Sequence, residues 1–282
     1  MQKINKAVIL MAGKGTRMLP ATRVCPKELF PIGNVPALLY ILKECYESGI
    51  KEVCLIISKE KKVVKKFLRK DKALFELSEK NEGVYLLKHL VENMEISFVY
   101  QRKMKGTGGA TYYAKHFTKK EPFLLLSGDD LFVSKTMPAS LDIIKTYKKT
   151  GSYVLGCKEV DSKIASRYGI IDIERNVSKN EVMIKGIVEK PKTGENPSNY
   201  ALMSRYILFP EIYRNIKNYI LKKMRKLSFQ MLSCLKKENA KLLQKILKLT
   251  TTTLAIAMTL QDAFVNWLEM IEKSKKIFLN HI

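Results

Sequence analysis

The stretch "KAVILMAGKGTRMLPATRVCPKELFPIG", residues 6–33, joins an apolar run to a basic, proline-rich loop. Its first half, "KAVILMAG", is an apolar run that breaks at glycine, the pattern of a buried strand rather than of an amphipathic helix. The second half is basic and stiff: Lys14, Arg17, Arg23 and Lys27 share it with Pro20, Pro26 and Pro31. Glycine lets backbone N–H groups approach an anion closely, and proline restrains the loop so that ordering it costs less entropy. A buried strand running into such a loop points to an α/β protein that handles phosphate. A basic surface loop is the plain alternative.

The loop is not a P-loop, because GK[ST] is absent. It also fails the dinucleotide fingerprint: Gly13 and Gly15 fit, but Met18 holds the third glycine position.

Outward from this stretch, strands and helices alternate. "PALLYILKECYESGI" carries Leu38, Leu39, Leu42, Cys45 and Tyr46 at helical spacing between Pro36 and Gly49. "KEVCLIIS", "ISFVYQ" and "FLLLSGDD" read as strands, with a lysine-rich helix from about Glu60 and another from Ala110. This rhythm predicts an α/β layered domain with a mixed, mainly parallel sheet. Farther on, "SYVLGCKEV", "YGIIDI", "VMIKGIVEKP" and "NYALMSRYIL" predict a β-rich part grown from the same sheet.

Composition bounds the partners. The chain has 282 residues, with 51 Lys plus Arg against 27 Asp plus Glu, a formal charge of +24. That excess favours anionic ligands, but no basic face interleaved with aromatics and no zinc-finger spacing raises nucleic acid above a lysine-heavy surface. Five cysteines without CxxC spacing read as free thiols of a reducing compartment. The first residues lack a signal-peptide pattern and no window reaches a membrane span, so a cytoplasmic protein with no membrane or nucleic-acid partner is expected.

Three further segments carry chemistry. "SGDDL" ends an apolar strand in paired carboxylates, which suits Mg²⁺ coordination or an ordinary Gly-Asp turn. "QRKMKGTGGA" offers the Gln101 amide to a base edge and glycine backbone to a flat ring. "GIVEKPK" sets Glu189, Lys190 and Lys192 at a strand end, where hydroxyls and a phosphate could be held or the charges merely solvated.

Taken together and in order, "GKGTRMLPAT" with "PKELFP", "YQRKMKGTGGA", "LLLSGDDL", "YGIIDI", "GIVEKPK" and "PSNYALMSRYIL" resemble the bacterial UTP–glucose-1-phosphate uridylyltransferases, over residues 1 to about 217. The resemblance implies a three-layer Rossmann-like nucleotide-diphospho-sugar transferase fold. It implies that Ala12, Gly13, Gly15, Thr16 and Glu28 surround the nucleotide, that Arg17 and Lys27 hold the triphosphate, and that Gln101 and Gly106 read the uracil. It further implies Mg²⁺ on Asp129, glucose against Gly169 and Glu189, and the sugar phosphate on Lys190. The implied reaction takes UTP and glucose 1-phosphate to UDP-glucose and pyrophosphate. A sibling transferase using dTTP is the neighbouring alternative, and a catalytically impaired nucleotide-binding protein is another. Within the matched region Arg23, Gly109 and Ser204 stand where the family commonly has Lys, His and Gly. Self-association into a homo-oligomer stays open.

Residues 218–282 are expected to form an atypical helical region, in which about 219–260 depart from the resemblance while "AFVNWLE" at 263–269 resembles the family's closing helix. Residues 219–260 hold nine Lys or Arg, one acid (Glu238), no Gly and no Pro, and a helix over 219–249 is expected there. Two family motifs, of the type GGEIQLTDA and YDIGN, are missing. Shifting the reading frame by one base over "KILKLTTTTLAIAMT" permits KDFKANYYDIGNRYD, which contains the second motif, so residues 219–260 read as a frame-shifted translation. As written, Thr252 and Thr253 stand where the resemblance implies a second metal-binding aspartate.

Overall fold

The computed structural model describes residues 1–103, 106–134, 136–221, 242–247 and 250–253. Thirteen strands are present among these residues. They are β1 (Lys6–Leu10), β2 (Pro31–Ile32), β3 (Val35–Pro36), β4 (Glu52–Ile57), β5 (Glu95–Tyr100), β6 (Phe123–Ser127) and β7 (Asp130–Val133). There follow β8 (Tyr153–Glu159), β9 (Gly169–Ser178), β10 (Glu181–Glu189), β11 (Tyr200–Leu208), β12 (Leu242–Ile246) and β13 (Thr250–Thr253). The helices are α1 (Ala37–Glu47), α2 (Lys62–Phe67), α3 (Lys72–Phe75), α4 (Glu82–Asn93), α5 (Gly106–Tyr112), α6 (Lys115–Thr118), α7 (Ala139–Thr150) and α8 (Ile212–Leu221).

One nine-stranded sheet runs β5-β4-β1-β6-β11-β8-β12-β10-β9. The expected parallel pairing holds across β5, β4, β1 and β6, the half joined by helical crossovers. From β11 onward the sheet is mixed: β11 is antiparallel to β6 and β8, and β10 is antiparallel to β9 and β12.

The alternation of side chains along β1 fills two cores. Ala7, Ile9 and Met11 pack with α1, α4 and α7 on one face. Val8 packs on the other with Ala110 of α5 and with Ile212, Tyr213 and Ile216 of α8. Because both faces are covered, the strand reads as a continuous apolar run, and the fold has the three layers expected of it.

The C-terminal part is corrected in one respect. Within the described residues α8 ends at Leu221, and residues 242–246, expected inside a helix, form β12. This strand lies between β8 and β10, parallel to the first and antiparallel to the second. The open backbone groups of two strands outweigh the helical spacing of Leu242, Leu243 and Ile246, since a buried unpaired N–H or C=O is costly. The boundary expected at 217/218 falls inside α8, and a strand from beyond it sits within the sheet. Other expectations for 222–241 and 254–282 lie outside the described residues.

Candidate active site

Strand β1 is flanked by β4, the next parallel strand in sequence, and by β6, which follows β5. The sheet therefore reverses its winding between β1 and β6, and a crevice opens beyond their carboxyl ends. A cavity of about 330 Å³ lies there. Leu10, Ala12 and Gly13 line it from the end of β1, Ser127, Asp129 and Asp130 from the end of β6, and Gln101 with Gly106 from the loop after β5. Lys27, Glu28, Thr107, Ala110, Ser204 and Tyr206 are also in its wall.

The loop after β1 is shaped by its own residues. Gly15 has φ +64°, and a Cβ there would lie 2.9 Å from Thr22 Cγ2. The Thr22 hydroxyl donates to the Gly15 carbonyl at 3.0 Å, so a side chain absent from the sequence reading closes the loop on itself. Pro26 begins a single 3-10 turn at Lys27–Leu29. That turn brings Lys27 to the cavity and buries Glu28 completely.

Two ion pairs lie side by side. Lys27 Nζ is paired with Asp129 Oδ2. Ser127 Oγ donates to Asp129 Oδ1 at 2.6 Å. Burial pushes the Asp129 carboxyl up, but Lys27 and the Ser127 hydroxyl together hold it below its ordinary value. Beneath this pair, Lys61 Nζ reaches both oxygens of Glu28 at 2.7 Å. Burial raises the Glu28 carboxyl and lowers the Lys61 amine despite their mutual attraction. Glu28, expected at the nucleotide, thus borders the cavity with both oxygens already engaged by Lys61.

The turn between β6 and β7 depends on glycine. The Gly128 N–H donates to the Leu10 carbonyl at 2.9 Å, and a Cβ would lie 2.5 Å from Met11 Cγ. Only a bare backbone lets Asp129 come so close to β1 and the Lys27 turn.

Of the residues singled out in the sequence, Ala12, Gly13, Lys27, Glu28, Gln101, Gly106 and Asp129 meet in this cavity. Gly15, Thr16 and Arg17 lie on the rim loop outside its lining, with Arg17 exposed. Gly169 and Glu189 face each other as cross-strand partners of β9 and β10, and the Lys190 N–H donates to the Tyr168 carbonyl at 2.9 Å. This ribbon end also lies outside the lining but within electrostatic reach. Burial first, then Asp130 and Glu189, hold the Tyr206 phenol well above its ordinary value, opposed by Arg205. The Gln101 amide donates to the Lys103 carbonyl at 3.1 Å, a contact that restrains the side chain at the cavity wall. Lys61 and Ser127 went unnamed in the sequence reading. Ser127 stands within "SGDDL" and was legible there, whereas Lys61 is one lysine among many.

No group of three or more His, Cys, Asp or Glu among the described residues forms a metal cage. A magnesium ion does not need one, since it is bound through one or two carboxylates and completed by substrate phosphates and water. Asp129, oriented by Ser127, with Asp130 beside it in the cavity wall, fits that donor set. No helix among the described residues is long and apolar enough to cross a membrane.

A crevice at the switch point of a parallel half-sheet, lined by Lys27 and by carboxylates, is where an α/β protein takes its ligand, and the chain belongs to the nucleotidyl transferase family, which it matches over residues 6–251. It is 41% identical over 217 residues to the UTP–glucose-1-phosphate uridylyltransferase of Staphylococcus haemolyticus, covering 76% of this chain and 74% of that protein. It is 42% identical, with the same coverage, to UTP–glucose-1-phosphate uridylyltransferase 2 of Staphylococcus saprophyticus. A solved structure of UDP-glucose pyrophosphorylase complexed with UDP-glucose superposes with a TM-score of 0.84 at 25% identity, covering 96% of this chain and 99% of that one.

Proposed function

We propose that this chain transfers the uridylyl group of UTP to glucose 1-phosphate, giving UDP-glucose and pyrophosphate, with Mg²⁺ as the cation. The observation that carries the reading is the meeting of Lys27, Asp129, Gln101 and the Ala12–Gly13 backbone in one crevice. The names of the relatives at about 41% identity support UTP and glucose 1-phosphate over dTTP.

In this reading Gln101 and Gly106 hold the base, and Ala12, Gly13, Gly15 and Thr16 set the nucleoside and phosphates along the loop. Glu28 acts beneath them, fixing the Lys27 turn through Lys61. Lys27 and Arg17 neutralise the triphosphate. Gly169 and Glu189 take the sugar hydroxyls, and Lys190 takes the sugar phosphate. An oxygen of that phosphate forms the new bond to the α-phosphorus of UTP, and the bond from the α-phosphorus to the bridging oxygen breaks. Pyrophosphate departs with the electron pair. The attacking group is already an anion, so orientation and charge neutralisation carry the rate and no general base is needed. A divalent cation on Asp129 would neutralise charge on the phosphates.

A second reading, a nucleotide binder with impaired turnover, draws on the register of β13. Thr252 and Thr253 pair with Leu131 and Asp130, beside Asp129, at the place where the resemblance implies a further carboxylate. A frame-shifted segment spanning 219–260 accounts for that substitution, and sequencing the coding DNA tests it. Pyrophosphate release with UTP and glucose 1-phosphate separates the two readings. Saturable UTP binding without any release favours the impaired binder, and equal or faster turnover of dTTP contradicts the choice of UTP.

A further inference from the structure

Arg205 of β11 is completely buried, and all five of its N–H groups are engaged. Nε and Nη2 grip the two oxygens of Glu44 on α1 at 2.8 and 2.7 Å. Nη1 donates to the carbonyl and hydroxyl of Ser204 at 3.0 and 3.4 Å. The remaining Nη2 hydrogen goes to the Asp130 carbonyl at 3.0 Å. The guanidinium lies 4.2 Å from the centre of the Phe132 ring. Glu44 is fixed in turn by the Ser140 N–H and hydroxyl at the start of α7, at 3.0 and 2.5 Å.

The register explains what this network does. Arg205 pairs with Leu126 on β6, and its side chain then reaches forward to Asp130, the first residue of β7. It thereby spans Ser127, Gly128 and Asp129, where the chain leaves the nine-stranded sheet. Strand β7 has no partner in that sheet; it pairs with β13 alone among the described strands. The Gly128 N–H to the Leu10 carbonyl ties the turn to β1 on one side, and Arg205 holds its far end at Asp130 from β11 on the other. A buried ion pair contributes little net stability, because desolvation offsets its attraction. Its bidentate, five-bond geometry does define position sharply.

We propose that Arg205 is a positioning residue for the cation- and phosphate-facing carboxylates of Asp129 and Asp130, acting through the Asp130 carbonyl and anchored by Glu44. This rests on the reading of Asp129 as the cation-binding group.

The test compares wild type, R205K and the double variant E44M/R205M, using circular dichroism, Mn²⁺ binding by electron paramagnetic resonance, and pyrophosphate release. Lysine keeps a charge for Glu44 but cannot reach Ser204 and Asp130 as well. R205K is expected to stay folded, to bind Mn²⁺ about tenfold or more weakly, and to lose kcat with little change in the KM for UTP, as loss of an outer partner of a metal-binding group does. The double variant removes both charges and guards against misfolding of the single one. It is expected to fold and to show the same loss of Mn²⁺ affinity. Either folded variant with wild-type Mn²⁺ affinity and kcat, whatever its melting temperature, overturns the proposal. A wild type that neither binds Mn²⁺ nor releases pyrophosphate contradicts the functional reading instead, and the inference falls with it.

Discussion

Lys27 and Asp129, 102 residues apart in sequence, form an ion pair at the cavity wall with side chains only 12% and 13% exposed. The other oxygen of Asp129 is taken by Ser127 at 2.6 Å. A cation arriving alone must therefore displace an ammonium group, whereas a triphosphate offers Lys27 a new partner and frees the carboxylate. The K27M variant is expected to bind Mn²⁺ alone more tightly than wild type, on the order of tenfold, because a competing positive charge is gone. It should bind UTP about tenfold more weakly. Calorimetric titration with each ligand separately measures both. Unchanged or weaker Mn²⁺ binding by K27M would contradict this coupling.

Glu28 and Lys61 are buried together, at 0% and 7% exposure. Removing one partner leaves the other buried and uncompensated, so K61M should destabilise the fold by about 3–5 kcal/mol. The double variant E28L/K61M should recover most of that loss. Urea denaturation of the three proteins gives the values, and a K61M variant as stable as wild type would show that the pair is solvated.

At Gly128 the side-chain space is already filled by Met11, which is itself 1% exposed. G128A is expected to cost about 1–3 kcal/mol, the usual price of overpacking. Because the displaced turn carries Asp129, turnover should fall further than stability alone explains. Melting curves and pyrophosphate release on the same sample separate the two effects.

The pH dependence follows from Asp129. Burial opposes its ionisation, but Lys27 and Ser127 prevail and the folded-state value is lowered. A depressed carboxyl contributes stability that is complete above its unfolded value, near pH 4, and is lost as pH falls through the folded one. D129N should therefore be less stable than wild type at neutral pH, with the difference shrinking below about pH 4. Denaturation midpoints across an acid series test this; a difference that grows on acidification would reverse the sign.

Strand β12 makes the C-terminal segment part of the sheet. Leu247, just after it, is 2% exposed, and Lys245 lies 3.6 Å from both Asp142 and Glu181. Ending the chain at residue 217 would leave β8 and β10 facing an empty slot, so such a protein is expected to lose cooperative unfolding. Retention of a sharp thermal transition would mean that residues 1–217 form a closed domain.

The parallel half of the fold was legible because β1, β4 and β6 are apolar on both faces and end in glycine, polar or acidic residues. Part of the crevice was legible for the same reason, since Ala12 and Gly13 follow β1, Gln101 follows β5 and Asp129 follows β6, whereas Lys27 reaches it from farther along the loop. The Glu44–Arg205 network was not: its members are 161 residues apart, and Glu44 sits in a helix where a glutamate ordinarily faces water. Lys61 was hidden in a basic run whose other lysines give no sign of which one turns inward. Strand β12 carries apolar residues at spacing that suits a helix as well as a strand, and only the gap in the sheet decides between them.

Pyrophosphate released from UTP and glucose 1-phosphate with Mg²⁺, measured in wild type and D129N, decides whether the chain transfers the uridylyl group at Asp129. Release is expected to require both substrates, to exceed that with dTTP, and to fall by about a hundredfold or more in D129N. Release from D129N equal to wild type, or saturable UTP binding by wild type with no release at all, would contradict transfer at Asp129.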